Sequence, residues 1–156
     1  MSTSPQAYVL DTNPELAAKY YNDKDVMEQP STLIEVLRAA NSDTHALRKH
    51  VLSKWASGRK EYGWLYNLAQ ALLNEQAYRF NHRDEELIES LHLLFRYRQD
   101  AEDTPSRFVQ LTDVKIAGDA VQAYRAFYHR ATTAPVWTKR GAPKWWKGNE
   151  QFSLNL

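Results

Sequence analysis

KEYGWLYNLAQALLNEQAYRF, residues 60–80, is the stretch on which the fold turns. Trp64, Leu65, Leu68, Leu72 and Leu73 fall at helical spacing and make a broad apolar stripe, so the segment reads as a long helix. Gly63 weakens only its first turn. Beyond it, Asp84-Glu85-Glu86 loads the start of another helix with the charge that a helix N-terminus favours. Leu87, Ile88, Leu91, Leu94 and Phe95 would be its buried face. Residues 100–106 are polar, contain Pro105 and read as a loop, while Phe108 to Ile116 fits a short helix or an extended segment. Asp119 then caps a last helix carrying Val121, Tyr124, Phe127 and Tyr128. After Ala131, the residues Pro135, Gly141, Pro143 and Gly148 forbid a long helix.

On the N-terminal side, Leu47, Val51 and Trp55 recur every four residues, with Asn41-Ser42-Asp43 as the cap and Gly58 as the stop. Pro30 predicts a new helix start, where Thr32 and Glu35 have capping-box spacing and Leu33, Val36, Leu37 and Ala40 share a face. An earlier helix begins at Thr12 or Asn13, with Pro14 in its first turn, and runs to about Tyr21. Tyr8, Val9 and Leu10 form a stub of strand or an extended lead-in. The expected fold is all-α, a compact small helical bundle in one domain over residues 1–156. Residues 1–7 are expected to be a flexible lead, and residues 132–156 an irregular Trp/Lys-rich C-terminal arm.

A chain of 156 residues suffices for one domain with a real core. It has no cysteine, which excludes disulfides and cysteine-ligated zinc. The start MSTSPQ is unlike a secretory signal, and no apolar run is long enough to span a membrane. A soluble cytoplasmic protein without membrane contact is therefore expected. The net charge of +1 hides a block pattern. Residues 46–83 carry 7 Lys/Arg against 2 Asp/Glu, and residues 104–156 carry 8 against 3. Residues 84–103 between them carry 2 against 7. Two basic blocks folding together would make one positive face.

The segment Trp137–Lys147 holds three of the five tryptophans together with Lys139, Arg140, Lys144 and Lys147. Cations attract phosphate and flat rings stack on unpaired bases, so this mixture suits nucleic acid. The alternative is that Trp137, Trp145 and Trp146 pack back on the helices as anchors. His50 stands in a second basic stretch with Arg48, Lys49 and Lys54, where an imidazole can meet a phosphate or transfer a proton. Lys24 lies among Asp23, Asp25 and Glu28 and would serve as an amine nucleophile if burial lowered its pKa. The histidine spacing suggests no metal site, and there is no phosphate-binding glycine loop or nucleophile elbow.

Several fragments in order carry a resemblance. They are Val9-Leu10-Asp11-Thr12-Asn13-Pro14, Ala17-Ala18-Lys19-Tyr20 with Asp23-Lys24, His50 with Trp55, and Tyr62-Gly63-Trp64-Leu65-Tyr66. Glu75 with Tyr78-Arg79-Phe80, Ala123-Tyr124-Arg125 with Tyr128, and Trp137-Thr138-Lys139-Arg140 before Pro143 and Trp145 complete the set. Across most of residues 8–146 the chain resembles small phage proteins distantly similar to pyrimidine-dimer DNA glycosylases. That resemblance implies a helical enzyme with no cofactor and no metal, located in the host cytoplasm. Its implied chemistry is attack by an amine on the sugar C1′ of a damaged pyrimidine, giving a Schiff base, with a carboxylate assisting. It further implies a site combining Lys24, Glu28 or Glu35 and His50 with DNA-facing Arg125, Lys139 and Arg140, and with Trp137, Lys144 and Trp145 nearby. Where the phage group carries His, Lys, Glu and Gln, this chain has Asp25, Glu28, Thr32 and Glu35. Those changes suit the alternative of a catalytically inactive binder of DNA, a modified nucleotide or a host protein.

Overall fold

The computed structural model describes residues 5–98 and 103–148, in which six α-helices and one 3-10 turn occur and no strand. Helix α1 (Pro14–Tyr20) starts where Asn13 accepts the backbone N–H groups of Glu15 and Leu16. Helix α2 (Asp23–Ala40) is capped in the same way by Asn22, which accepts from Asp25. Helix α2 runs straight through the point where Pro30 was expected to begin a helix. A proline inside a helix frees the carbonyl four residues earlier. Here that carbonyl, on Val26, accepts instead from the buried Gln76 side chain at 3.1 Å, so the helix continues.

The next helix is shorter than expected. Residues 41–50 form turns in which Ser42 Oγ accepts from Thr44 and His45, and α3 spans only Val51–Ala56. Helix α4 (Arg59–Phe80) is the predicted long helix and packs against α1, α2, α3 and α5. A surface helix is apolar on one face, but α4 buries residues around most of its girth, including Gly63, Trp64, Leu65, Tyr66, Ala71 and Leu72. It ends at Asn81, whose positive φ of 50° is a conformation that asparagine tolerates.

Helix α5 (Glu85–Leu93) starts at the Asp84 cap, and α6 (Ala120–Ala131) starts at the Asp119 cap. Phe95, expected in the core, is exposed, because the chain tightens into a 3-10 turn (Phe95–Tyr97) that shifts its rotation away from the α-helical face. Residues 108–116 form no regular element. The expected loop over residues 100–106 lies partly outside the described residues, as do residues 1–4 of the lead and 149–156 of the arm. Within the lead, Pro5 and Ala7 are buried rather than loose. Tyr8 is anchored at both its N–H and its carbonyl by the Tyr21 hydroxyl, at 2.7 and 2.9 Å. Among the described residues, no helix is long and apolar enough to cross a membrane.

Candidate functional site

The C-terminal arm is irregular, as its prolines and glycines require, but through residue 148 it is docked on the bundle. Trp137 is 6% exposed and its indole N–H donates to the Tyr20 carbonyl at 2.8 Å. Thr138 donates its N–H and its hydroxyl to Asp23, at 2.9 and 2.5 Å. Arg140 donates to both oxygens of the buried Glu75, at 3.0 and 2.6 Å, with its guanidinium 4.1 Å from the Tyr78 ring centre. Lys139 donates to the Tyr78 carbonyl.

Beneath them lies Arg79, its side chain fully buried, donating to Glu75, to Asp23 and to the Tyr21, Ala18 and Lys19 carbonyls. Burial would push Glu75 up, but Arg140 and Arg79 outweigh it and hold the carboxyl below its ordinary value. Two arginines and two acids thus close the end of α1, the start of α2 and the arm into one polar network.

Arg125 is likewise an internal tie, donating to the Leu10 carbonyl and to Asp11 and lying against the Tyr20 and Trp145 rings. Trp145 packs on Tyr20, Tyr128 and His129, and Trp146 stacks on His129 at 4.7 Å. The anchoring reading therefore describes Trp137, Trp145, Trp146 and Arg140. Lys144 and Lys147 stay exposed.

The residues expected to form one catalytic cluster are divided. Lys24 and Glu35 are eleven positions apart on α2, about 16 Å along a straight helix. Glu35 is bound to Arg38 at 2.5 Å and His45 at 2.8 Å. It lines a recess of about 590 Å³ together with His50 and Glu86. His50 caps α3, its Nδ1 accepting the Leu52 N–H at 3.1 Å, so one ring nitrogen has a structural task. Lys24 is exposed, which removes the burial that an amine nucleophile at this position was expected to have. Glu28 is exposed as well.

The start of α2 instead supplies Asp25, named above only beside Lys24 and among the departures from the phage group. A recess of about 730 Å³ is lined by Tyr8, Lys24, Asp25, Phe127, Tyr128 and residues 131–136. Asp25 is 9% exposed and accepts the Tyr128 hydroxyl at 2.6 Å. Tyr128 in turn accepts the Asn22 N–H. Burial raises the Asp25 carboxyl, helped by the nearby Glu28 charge, while the Tyr128 hydrogen bond and Lys24 act the other way. The Tyr8 ring lies beside it, stacked on Phe127 at 5.8 Å and 24° and edge-on to Tyr128. No local sequence signal pairs Asp25 with Tyr128, 103 positions away. A helix start at Pro30 also leaves Asp23–Glu28 outside any helix, so Asp25 has no face assigned to it.

The arrangement can hold a flat polar ligand against an aromatic wall, with a carboxyl at its base to accept or donate a hydrogen bond according to its protonation. Among the described residues, no group of three or more acidic or histidine side chains could hold a metal ion. No family model matches this chain, and neither the curated proteins nor the solved structures compared with it include a match.

Proposed function

We propose that this protein acts on DNA through its bases, and that the recess at the start of α2 is where a base is held. The observation that carries this reading is the buried Asp25 carboxyl on the Tyr128 hydroxyl, between Tyr8 and Lys24. A nucleobase has two apolar faces and an edge of N–H and carbonyl groups, which suits an aromatic wall and one carboxyl. The exposed Lys24, Lys139, Lys144 and Lys147 would meet the phosphates.

In a catalytic version, the Lys24 amine forms a bond to C1′ as the C1′–N bond breaks. The bonding pair leaves with the base, and the Asp25 carboxyl, whose burial favours its protonated form, supplies the proton that the base takes up. The exposure of Lys24 favours the second version, in which the recess binds a base or a modified nucleotide without cleaving it.

Binding to single-stranded, duplex and abasic-site DNA at two salt concentrations tests the proposal. Substituting Arg140 would confound the test, because Arg140 holds the arm through Glu75. Lys24→Ala/Lys144→Ala removes two exposed cations instead. Salt-dependent binding weakened by that pair and by Asp25→Asn supports the reading, whereas no binding to any DNA overturns it. Borohydride trapping of a covalent adduct then separates enzyme from binder.

A further inference from the structure

A different recess, of about 620 Å³, lies between α3 and the loop of residues 107–117, and none of the roles above uses it. Its aromatic surface is Trp55 and Phe108, and its cations are Arg107 and Lys115. The Trp55 ring is half-buried and held by two neighbours, edge-on to Trp64 at 6.3 Å and tilted against Phe108 at 5.8 Å.

The loop that faces it is braced from three sides. The Trp55 indole N–H donates to the Arg107 carbonyl at 2.8 Å. The Tyr124 hydroxyl donates to Val109 and accepts from Leu111. The Gln110 side chain closes the loop on itself, donating to the Ile116 carbonyl and accepting the Ile116 N–H, at 2.7 and 2.8 Å. The recess is therefore formed before any ligand arrives, so binding need not order the loop.

Arg107 and Lys115 are exposed and have no acidic partner among the described residues, while the loop's own acid, Asp113, is paired with Arg130. Fixed aromatic rings beside two uncompensated cations suit a ligand that is flat at one end and anionic at the other. We infer that this recess is a second binding site, separate from that of Asp25, for a nucleotide whose base lies on Trp55 and Phe108 and whose phosphate meets Arg107 and Lys115. Because both polar ends of Gln110 are spent on Ile116, its side chain does not read the base edge. The site therefore discriminates little between bases.

The same chemistry is offered by a free nucleotide and by a nucleotide within a single strand. Tryptophan fluorescence of the full chain is titrated with thymidine 5′-monophosphate, thymidine, inorganic phosphate and a short oligothymidylate. Saturable quenching by the monophosphate is expected, with much weaker quenching by thymidine and none by phosphate. Arg107→Ala/Lys115→Ala should weaken binding roughly tenfold, since two exposed charge contacts are lost. Both side chains are exposed, and an unchanged circular dichroism spectrum will show the fold intact. Asp25→Asn should leave this binding unchanged, which separates the site from the one proposed above. Tighter binding of the oligothymidylate identifies a strand as the source, and equal binding a free nucleotide. Absence of quenching, an unaltered affinity in the double variant, or loss of binding in Asp25→Asn instead would overturn the inference.

Discussion

The Gln76 side-chain amide donates to the Val26 carbonyl across 3.1 Å, in place of the helical donor that Pro30 lacks. Gln76→Leu should cost about 1–3 kcal/mol in urea unfolding, since it leaves a buried carbonyl without a donor. In a Pro30→Ala background, residue 30 regains an N–H and the cost of Gln76→Leu should shrink. Equal costs in the two backgrounds would show that the two residues are not coupled.

Asp25 should set a stability–function conflict. Its folded pKa is raised by burial, so the stability linked to its protonated form is present below the ordinary 3.8 and lost as pH rises through the folded value. Asp25→Asn keeps an oxygen for Tyr128 and carries no charge. It should raise the unfolding midpoint at neutral pH, gain nothing near pH 3, and weaken base binding at the α2 recess. A midpoint lowered at neutral pH would count against a destabilising buried carboxylate.

Glu75 has the opposite sign. Its folded pKa is lowered by Arg140 and Arg79 against the effect of burial, so its contribution is present above 4.5 and lost as pH falls through the folded value. Glu75→Ala should cost about 3–5 kcal/mol at pH 7, because fully buried Arg79 loses one of its two acids. Arg140→Ala should cost less, since Arg79 still compensates Glu75. Similar losses for the two variants would mean that Arg140, not Arg79, is the partner that matters.

His129 should make the arm acid-sensitive. Its Nδ1 lies 2.9 Å from the Arg125 carbonyl and its Nε2 accepts the Lys147 N–H at 3.1 Å, a pattern that needs a neutral ring. Burial lowers its pKa, and the Lys147 charge lowers it further against the Arg125 carbonyl bond. Stability should fall as pH drops below the ordinary 6.5 toward the folded value. A change in Trp146 fluorescence should accompany it, because the two rings are stacked. A flat fluorescence profile from pH 7.5 to 5 would contradict this coupling.

The sequence carried the helices whose signals are local. Asn13 before Pro14, Asp84 before two glutamates, Asp119 and the Lys60–Phe80 stripe each lie within a few residues of what they specify. It misled at Pro30, because the donor that rescues α2 is 50 residues away in sequence. His50 read as a chemical group, and its capping task was not visible, because a cap depends on where α3 begins and the short helix starts only at Val51. The Asp25–Tyr128 pair was invisible for another reason. Two residues separated by 103 positions leave no periodic trace.

The polar network between Arg79, Asp23, Glu75 and the arm also bears on how the chain is made. Trp137 bonds Tyr20 across 117 positions, and Thr138 bonds Asp23 across 115. Residues 1–131 contain every helix described here, yet without the following segment Asp23 and Glu75 still await Thr138 and Arg140. Helices should therefore appear early during synthesis, while resistance to proteolysis arrives late and abruptly, when the Trp137–Arg140 segment emerges. In a cell, that delay would let quality control distinguish interrupted translation products from finished ones by their stability alone.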